Sequence, residues 1–112
     1  MDSRIKKLAD VLVHYSCNVQ NGEKVLISYE GDSTKSLVKQ LVKEVYASGG
    51  LPYVEIRDSS ITREILLGCN EEQISFMNEY QLAQMKGMDA YIAIRASDNT
   101  SELSDVPSEK LN

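Results

Sequence analysis

Acidic and basic side chains stand directly after three short apolar segments, which is where ligands bind in an open parallel sheet. The first position reads Tyr-Glu-Gly-Asp, with Glu30 and Asp32 on either side of Gly31. A phosphate site there would need further glycines, as in G-x-G-x-x-G or G-x-x-x-x-G-K-[ST], and the two carboxylates would repel a phosphate. A receiver-type magnesium pocket would need a lysine after the third segment, but Arg95 stands there and no lysine follows until Lys110. Capping of the following helix is therefore the preferred role of Asp32.

The single histidine, His14, has Asp10 and Asn18 four residues away on either side. One imidazole and one carboxylate on a helix make a weak metal site, so a partly exposed structural histidine is the favoured interpretation. The sequence contains no H-E-x-x-H, no Cys-x-x-Cys and no serine in a nucleophile elbow. Cys17 and Cys69 are far apart in sequence, and in a reducing compartment they are expected to be free thiols. No catalytic or metal-ligating residue is assigned.

The elements that must position these residues alternate between helix and strand. Residues 23–30, 51–58 and 89–96 are predicted to be strands, because each carries an apolar run bounded by turn signals. The alternation predicts an α/β fold: a small three-layer Rossmann-like domain with a parallel sheet of about three strands and helices on both faces. The first strand has the uniformly apolar core Val-Leu-Ile, which favours a central place in the sheet.

Local signals set the ends of the helices. The first helix is expected to end near Asn18, and the second, opened by Asp32, should close at Gly49, where only glycine enters the left-handed conformation without strain. Asp58 is expected to open a third helix. Asn70 begins a capping-box sequence for a fourth helix that should end at about residue 86.

Composition excludes several classes of function. The chain has 112 residues, of which 42% are hydrophobic and 26% charged, as is usual for one globular domain. A net charge of −5 disfavours a nucleic-acid partner, because phosphate neutralisation needs a basic face. No apolar run approaches the roughly 20 residues that span a bilayer, and the first residues lack the apolar region of a secretory signal. A cytoplasmic protein with no membrane partner is predicted.

Three segments together carry a resemblance to a known family: LADVLVHYSCNVQ, NVQNGEKVLISYEG and AYIAIRASDNTSELSDVPSEKL. They resemble the N-terminal domain of the thermophilic metallo-aminopeptidases, the M29 peptidase family, over essentially the whole chain. The most specific part runs from Ala90 to Lys110. One departure is Asn21, where the family commonly has a proline before Gly-Glu-Lys, and it should affect only the turn.

The resemblance implies a two-part enzyme. Residues 1–96 would form the N-terminal α/β domain, and residues 97–112 would begin the linker to an absent C-terminal catalytic domain. That domain would hold two divalent metal ions (zinc, cobalt or manganese), whose bridging water attacks the first peptide bond of a peptide substrate. The whole enzyme would be a cytoplasmic homodimer. The 112 residues would be a fragment that holds no metal and is inactive by itself.

Three residues are candidates for the substrate cleft of that enzyme: Arg95, Asn99 and Glu102. They follow the carboxyl end of the third strand and lie in the most family-like stretch. A hydrogen-bonded linker without substrate contact is the competing role for them. A stand-alone Rossmann-like binding or interaction module is the alternative function for the chain, and a receiver-like signalling domain is a further alternative.

Overall fold

A computed structural model describes residues 3–96 of the chain. A π-helical segment, Val11–Ser16, directly continues the first helix, and a 3-10 turn, Asp32–Thr34, precedes the second. The helices and strands are α1 Ser3–Asp10, β1 Lys24–Glu30, α2 Lys35–Ala47, β2 Leu51–Arg57, α3 Ser59–Gly68, α4 Glu71–Lys86 and β3 Ala90–Arg95.

The three strands form one parallel sheet in the order β2-β1-β3. β1 is central, as its apolar sequence predicts, and it pairs with β2 from Lys24 to Glu30 and with β3 from Val25 to Glu30. The chain moves from β1 to one neighbour and then across to the other. Right-handed crossovers therefore place α2 and the α3–α4 pair on opposite faces of the sheet. The predicted fold, a small three-layer Rossmann-like α/β domain, is confirmed.

The hydrophobic core lies between the sheet and the layer formed by α1 and α2. Residues of α2 at helical spacing enter it, because every third or fourth side chain of a helix falls on one face. Each fully buried aliphatic side chain contributes about 1.5–3 kcal/mol relative to an exposed one. The buried members of this core are Ala9, Val13, Val19, Val25, Ile27, Val38, Leu41, Val45 and Ile92.

The opposite face is covered much less completely. No residue of α4 is buried, and β2 has no buried position, whereas five of the seven residues of β1 are buried. A groove of about 600 Å³ runs between the end of β2 and the helices α3 and α4. We call it the β2–α4 groove, and its apolar lining includes Ile56, Ile61, Ile65, Met77 and Tyr80.

The helix-capping predictions have mixed outcomes. The Asp58 side chain accepts hydrogen bonds from the backbone of Ser60 and Ile61 at the start of α3, and Asn70 accepts one at 2.9 Å from Gln73 N at the start of α4. Gly49 has the predicted positive φ, +82°. Three local predictions are thus confirmed.

The capping role predicted for Asp32 is wrong. Asp32 begins the 3-10 turn that leads into α2, so it lies inside the helical run, and neither Gly31 nor Thr34 provides a side-chain cap. Its side chain is 96% exposed and lies 3.5 Å from Lys35 Nζ. The first helical run ends at Ser16 with Asn18 at φ +48°, close to the predicted end, but its second half is π-helical.

Two further properties concern the whole described region. Cys17 and Cys69 are free thiols, as predicted. None of the helices within residues 3–96 combines the length and apolarity needed to cross a membrane.

Candidate functional site

The strand ends bring three charged side chains together at the carboxyl edge of the sheet. Glu30 is in register with Arg57 on one side and with Arg95 on the other. Arg95 Nε lies 3.9 Å from Glu30 Oε1, and Arg57 Nε donates to Ser28 Oγ at 2.8 Å. The candidate residue Arg95 therefore stands at the predicted edge.

The Glu30 carboxylate is hydrogen-bonded to the first turn of α3. Its Oε2 atom accepts hydrogen bonds from the backbone N–H of Ser59, at 2.9 Å, and from the Ser59 hydroxyl. Arg95 Nη2 also donates to Ser59 Oγ, at 3.3 Å. Ser59 is only 4% exposed, so its hydroxyl fixes the junction of three elements and does not reach a substrate. We call Glu30, Ser59 and Arg95 the edge network.

A cleft of about 390 Å³ opens beside the edge network. Its lining includes Glu30, Gly31, Asp32, Arg57 and Asp58. Gly31 adopts φ +100°, and a Cβ built there would stand 2.8 Å from the Cβ of Ala96, so the chain passes too closely for any side chain. The cleft mixes both signs of charge and holds a single glycine, so it lacks the converging N–H groups of a phosphate loop.

The acidic residues of this edge serve separate partners. Asp58 caps α3, Asp32 lies beside Lys35, and Glu30 belongs to the edge network. Hydrogen bonds from Ser60 lower the pKa of Asp58. Within the part of the chain that the structure describes, these carboxylates do not form a group of three metal-ligand atoms. The receiver-type magnesium pocket is therefore disfavoured by geometry as well as by sequence.

A group that could hold a metal ion occurs at the other end of the domain. His14 Nε2 lies 3.0 Å from Glu44 Oε2 and 3.6 Å from Asp10 Oδ1, and the three ligand atoms fall within 4.8 Å of one another. Asp10 ends α1, His14 lies in the π-helical segment, and Glu44 is in the last turn of α2. Hydrogen bonding from His14 is the largest cause that lowers the pKa of Glu44.

Glu44 is the residue that sequence reasoning missed. The pair of His14 and Asp10 was visible as a helical spacing of four, but Glu44 is 30 residues from His14. A signal for it exists: Glu44 is three residues after Leu41 and one before Val45, so it flanks the buried stripe of α2 that packs on the first helix.

Ser48 gives the same group a superficial likeness to a serine–histidine–carboxylate triad. Its Oγ atom lies 3.4 Å from His14 Nδ1, but the hydroxyl donates to the Glu44 carbonyl oxygen at 3.0 Å. A carbonyl can only accept, so the serine proton is committed to the backbone and His14 cannot act as its base. The geometry is that of a support for the imidazole and not of an activated nucleophile.

The structure covers only part of the predicted site. Arg95 is at the edge, while Asn99 and Glu102 lie outside the described residues. The predicted linker, residues 97–112, lies outside them as well.

Fold and edge define a small Rossmann-like α/β domain whose carboxyl edge carries a hydrogen-bonded network of its own side chains beside an open cleft. The chain belongs to the thermophilic metalloprotease (M29) family, whose sequence profile matches residues 1–112. Wild-type AmpT from Thermus thermophilus is a similar solved structure, with a TM-score of 0.66 and 24% sequence identity. The similarity covers 97% of this chain and 28% of AmpT, so the chain spans less than a third of that protein. A search of curated protein sequences found no match.

Proposed function

We propose that the chain is the N-terminal, non-catalytic domain of a cytoplasmic, dimetal-dependent aminopeptidase that removes N-terminal residues from peptides. The observation that carries the proposal is membership of the thermophilic metalloprotease family over residues 1–112. In this proposal residues 1–96 are the domain, and residues 97–112 begin the linker to a C-terminal catalytic domain. The C-terminal domain supplies the ligands of two divalent ions (zinc, cobalt or manganese), and the complete enzyme is a homodimer.

The side chains of the described region support a non-catalytic role. A two-metal site needs carboxylate and imidazole ligands around two ions about 3.5–4 Å apart. Residues 3–96 contain a single group of three such ligands, Asp10, His14 and Glu44, which is too few for a pair of ions. Glu30, the buried acid of the carboxyl edge, is committed to Ser59. These residues therefore do not fit a dimetal centre, and no catalytic step is assigned to them.

The β2–α4 groove supports a partner domain. Ile56 is 75% exposed and Ile61 is 60% exposed, and Tyr80 lies on the same groove. Contiguous exposed apolar surface of this kind usually marks an interface. The C-terminal domain of the proposed enzyme is the occupant assigned to it here.

The candidate cleft residues keep their place in the proposal. In the proposal, Arg95, Asn99 and Glu102 are near the substrate cleft of the complete enzyme. The support comes from Arg95, which ends β3 at the edge toward which parallel folds direct their ligands. Alanine at all three positions is expected to lower kcat/KM at least about tenfold by misplacing the substrate. Arg57→Ala, at the corresponding end of β2, is the matched control and should change kcat/KM less. An unchanged kcat/KM in the triple variant would remove these residues from the cleft.

The decisive experiment measures release of an N-terminal leucine from a chromogenic substrate by the product of the uninterrupted gene. It is run with and without a chelator, with the 112-residue chain in parallel. We expect chelator-sensitive activity in the longer product and none in the 112-residue chain. A longer product without metal-dependent activity would contradict the proposal.

The alternative function, a stand-alone Rossmann-like binding module, draws on the cleft of about 390 Å³ at the carboxyl edge. A gene product that ends near Asn112 and binds a small ligand in that cleft would favour it. The two functions therefore predict different lengths for the natural gene product, which is the first quantity to measure.

A further inference from the structure

The three ligand atoms of Asp10, His14 and Glu44 meet at one point, within 4.8 Å of one another. The Ser48 hydroxyl donates to the Glu44 carbonyl oxygen, so its lone pairs face His14 Nδ1. Without a metal ion, a proton on Nε2 is shared with the Glu44 carboxylate at 3.0 Å, and the Asp10 carboxylate lies 3.6 Å away. With a metal ion on Nε2, the ring proton lies on Nδ1, where the lone pairs of the Ser48 hydroxyl accept it. Three electron-pair donors this close repel one another unless a proton or a metal ion lies among them.

The ligands are also held from behind, as metal ligands usually are. Gln40 Nε2 donates to the second oxygen of Glu44, at 3.1 Å, and Gln40 is itself buried. Ser48 supports the far nitrogen of His14. Glu44 is the most buried of the three ligands, with a side chain 16% exposed, while Asp10 is half exposed and leaves one side open to solvent.

The distances suit a small transition-metal ion. Zinc binds imidazole nitrogen and carboxylate oxygen at about 2.0–2.2 Å, so two ligands of one ion are at most about 4 Å apart. The 3.0 and 3.6 Å separations of His14 from Glu44 and Asp10 meet this condition. The third separation, between the carboxylates of Asp10 and Glu44, is within 4.8 Å, so a small side-chain rotation would bring all three atoms to ligand distance. One imidazole with two carboxylates suits zinc and its neighbours better than magnesium or calcium, which take oxygen ligands.

Charge around the group does not prevent cation binding. Lys6 is close enough to contribute to the lowered pKa of Glu44, and the adjoining cleft of about 400 Å³ is also lined by Arg4 and Lys7. Two carboxylates border the proposed ion position, whereas the ammonium group of Lys6 is at the end of a flexible stem. The nearby electrostatics therefore weaken the site but leave it attractive to a divalent cation.

We propose that Asp10, His14 and Glu44 form a binding site for one divalent transition-metal ion of the zinc type, which clamps the first helical run to the end of α2. The ion replaces the proton that otherwise lies among the three groups, and solvent completes its coordination. The site lies toward the amino ends of the strands, because α2 starts at the carboxyl edge and Glu44 is in its last turn. The proposal stands on these residues and does not depend on peptidase activity.

The test is a zinc titration of the 112-residue chain at pH 7, followed by calorimetry and thermal unfolding. We expect one ion per chain and a Tm that rises with zinc concentration. His14→Gln and Glu44→Gln should each weaken zinc binding at least about tenfold, since loss of even an outer support costs that much. Asp32→Asn, which changes an exposed carboxylate elsewhere, should leave the affinity unchanged.

A thiol site is the main competitor, because Cys17 is three residues after His14. Burial raises the pKa of Cys17, which disfavours the thiolate that a metal ion would need. Cys17→Ser should therefore retain zinc binding, and cobalt bound in place of zinc should show no thiolate charge-transfer band. Loss of binding in Cys17→Ser would overturn the proposal.

A readout on the unmodified chain covers the case in which a variant fails to fold. His14 is the single histidine, so its imidazole NMR signals need no variant for assignment. We expect saturable shifts of the Nε2 side of the ring on zinc addition. Unchanged imidazole signals at millimolar zinc would show that His14 only hydrogen-bonds to the carboxylates and binds no metal ion, and would overturn the proposal.

Discussion

Replacing Glu30 with alanine removes the acceptor that holds the first turn of α3 to the end of β1. Two hydrogen bonds from Ser59 end on the Glu30 carboxylate, and hydrogen bonds to a charged group contribute about 1.5–3 kcal/mol each. The sum of the two contributions would be lost only if water could not reach Ser59 in the variant. Glu30 borders an open cleft, so water should partly replace the lost acceptor, and we expect Glu30→Ala to lower the free energy of unfolding by about 3 kcal/mol. Glu30→Gln keeps an acceptor oxygen without the charge and should cost about 1–2 kcal/mol.

The assay is urea unfolding of the 112-residue chain followed by far-ultraviolet circular dichroism. Asp32→Ala is the matched control, since Asp32 is an acid two residues away whose side chain is 96% exposed, and it should change stability by no more than about 0.5 kcal/mol. A double-mutant cycle with Ser59→Ala should give a coupling free energy of about 1–2 kcal/mol. Equal losses in Glu30→Ala and Asp32→Ala, at an unchanged denaturant slope, would refute the structural role of the edge network.

The remaining predictions concern a cap, a titration and two glycines. Asn70→Ala should lower the free energy of unfolding by about 1 kcal/mol because α4 loses its N-cap. Asn70→Ser keeps a capping oxygen and should change that free energy by no more than about 0.5 kcal/mol, as measured by the urea midpoints of the two variants. The pKa of Glu44 is lowered below its ordinary 4.5, mainly by His14, so the stabilising contribution of Glu44 is complete above pH 4.5 and is lost as the pH falls through the lowered pKa. In Glu44→Gln the urea midpoint should therefore depend less on pH in that range. An unchanged pH dependence would contradict this. Gly31→Ala should lower Tm more than Gly22→Ala, because both glycines have positive φ but only at Gly31 would a Cβ meet another atom within 4 Å; equal shifts would contradict the close approach.

The sequence predicts features that depend on chemistry within a few residues. Asp58 and Asn70 cap their helices because a short polar side chain there reaches the N–H groups two or three positions ahead. Gly49 ends α2 because its backbone enters the left-handed region. The central place of β1 follows from the same kind of signal, a run of apolar residues that must be covered on both faces.

Features that depend on tertiary contacts are not predicted by such signals. Asp32 is a good capping residue by type, but a 3-10 turn extends the helical run to include it. Ser59 looks like an ordinary helix-start serine, and its partnership with Glu30 arises only when β1 and α3 meet. Glu44 reaches His14 only because α2 packs on the first helical run, so local spacing could show Asp10 but not the third ligand.

The two ends of the domain therefore differ in what they can offer to a ligand. At the carboxyl edge, where an α/β sheet usually binds its substrate, Glu30 and Ser59 satisfy each other and the serine is buried, so these two side chains hold the edge together and do not face a ligand. At the amino edge, Asp10, His14 and Glu44 converge on one point open to solvent, which is an arrangement that a cation can enter. In the proposed function, such a domain forms part of the wall of a cleft, the metal ion stabilises it, and the reacting groups belong to the C-terminal domain. This separation is the physical reason for assigning catalysis in the proposed enzyme to a further domain.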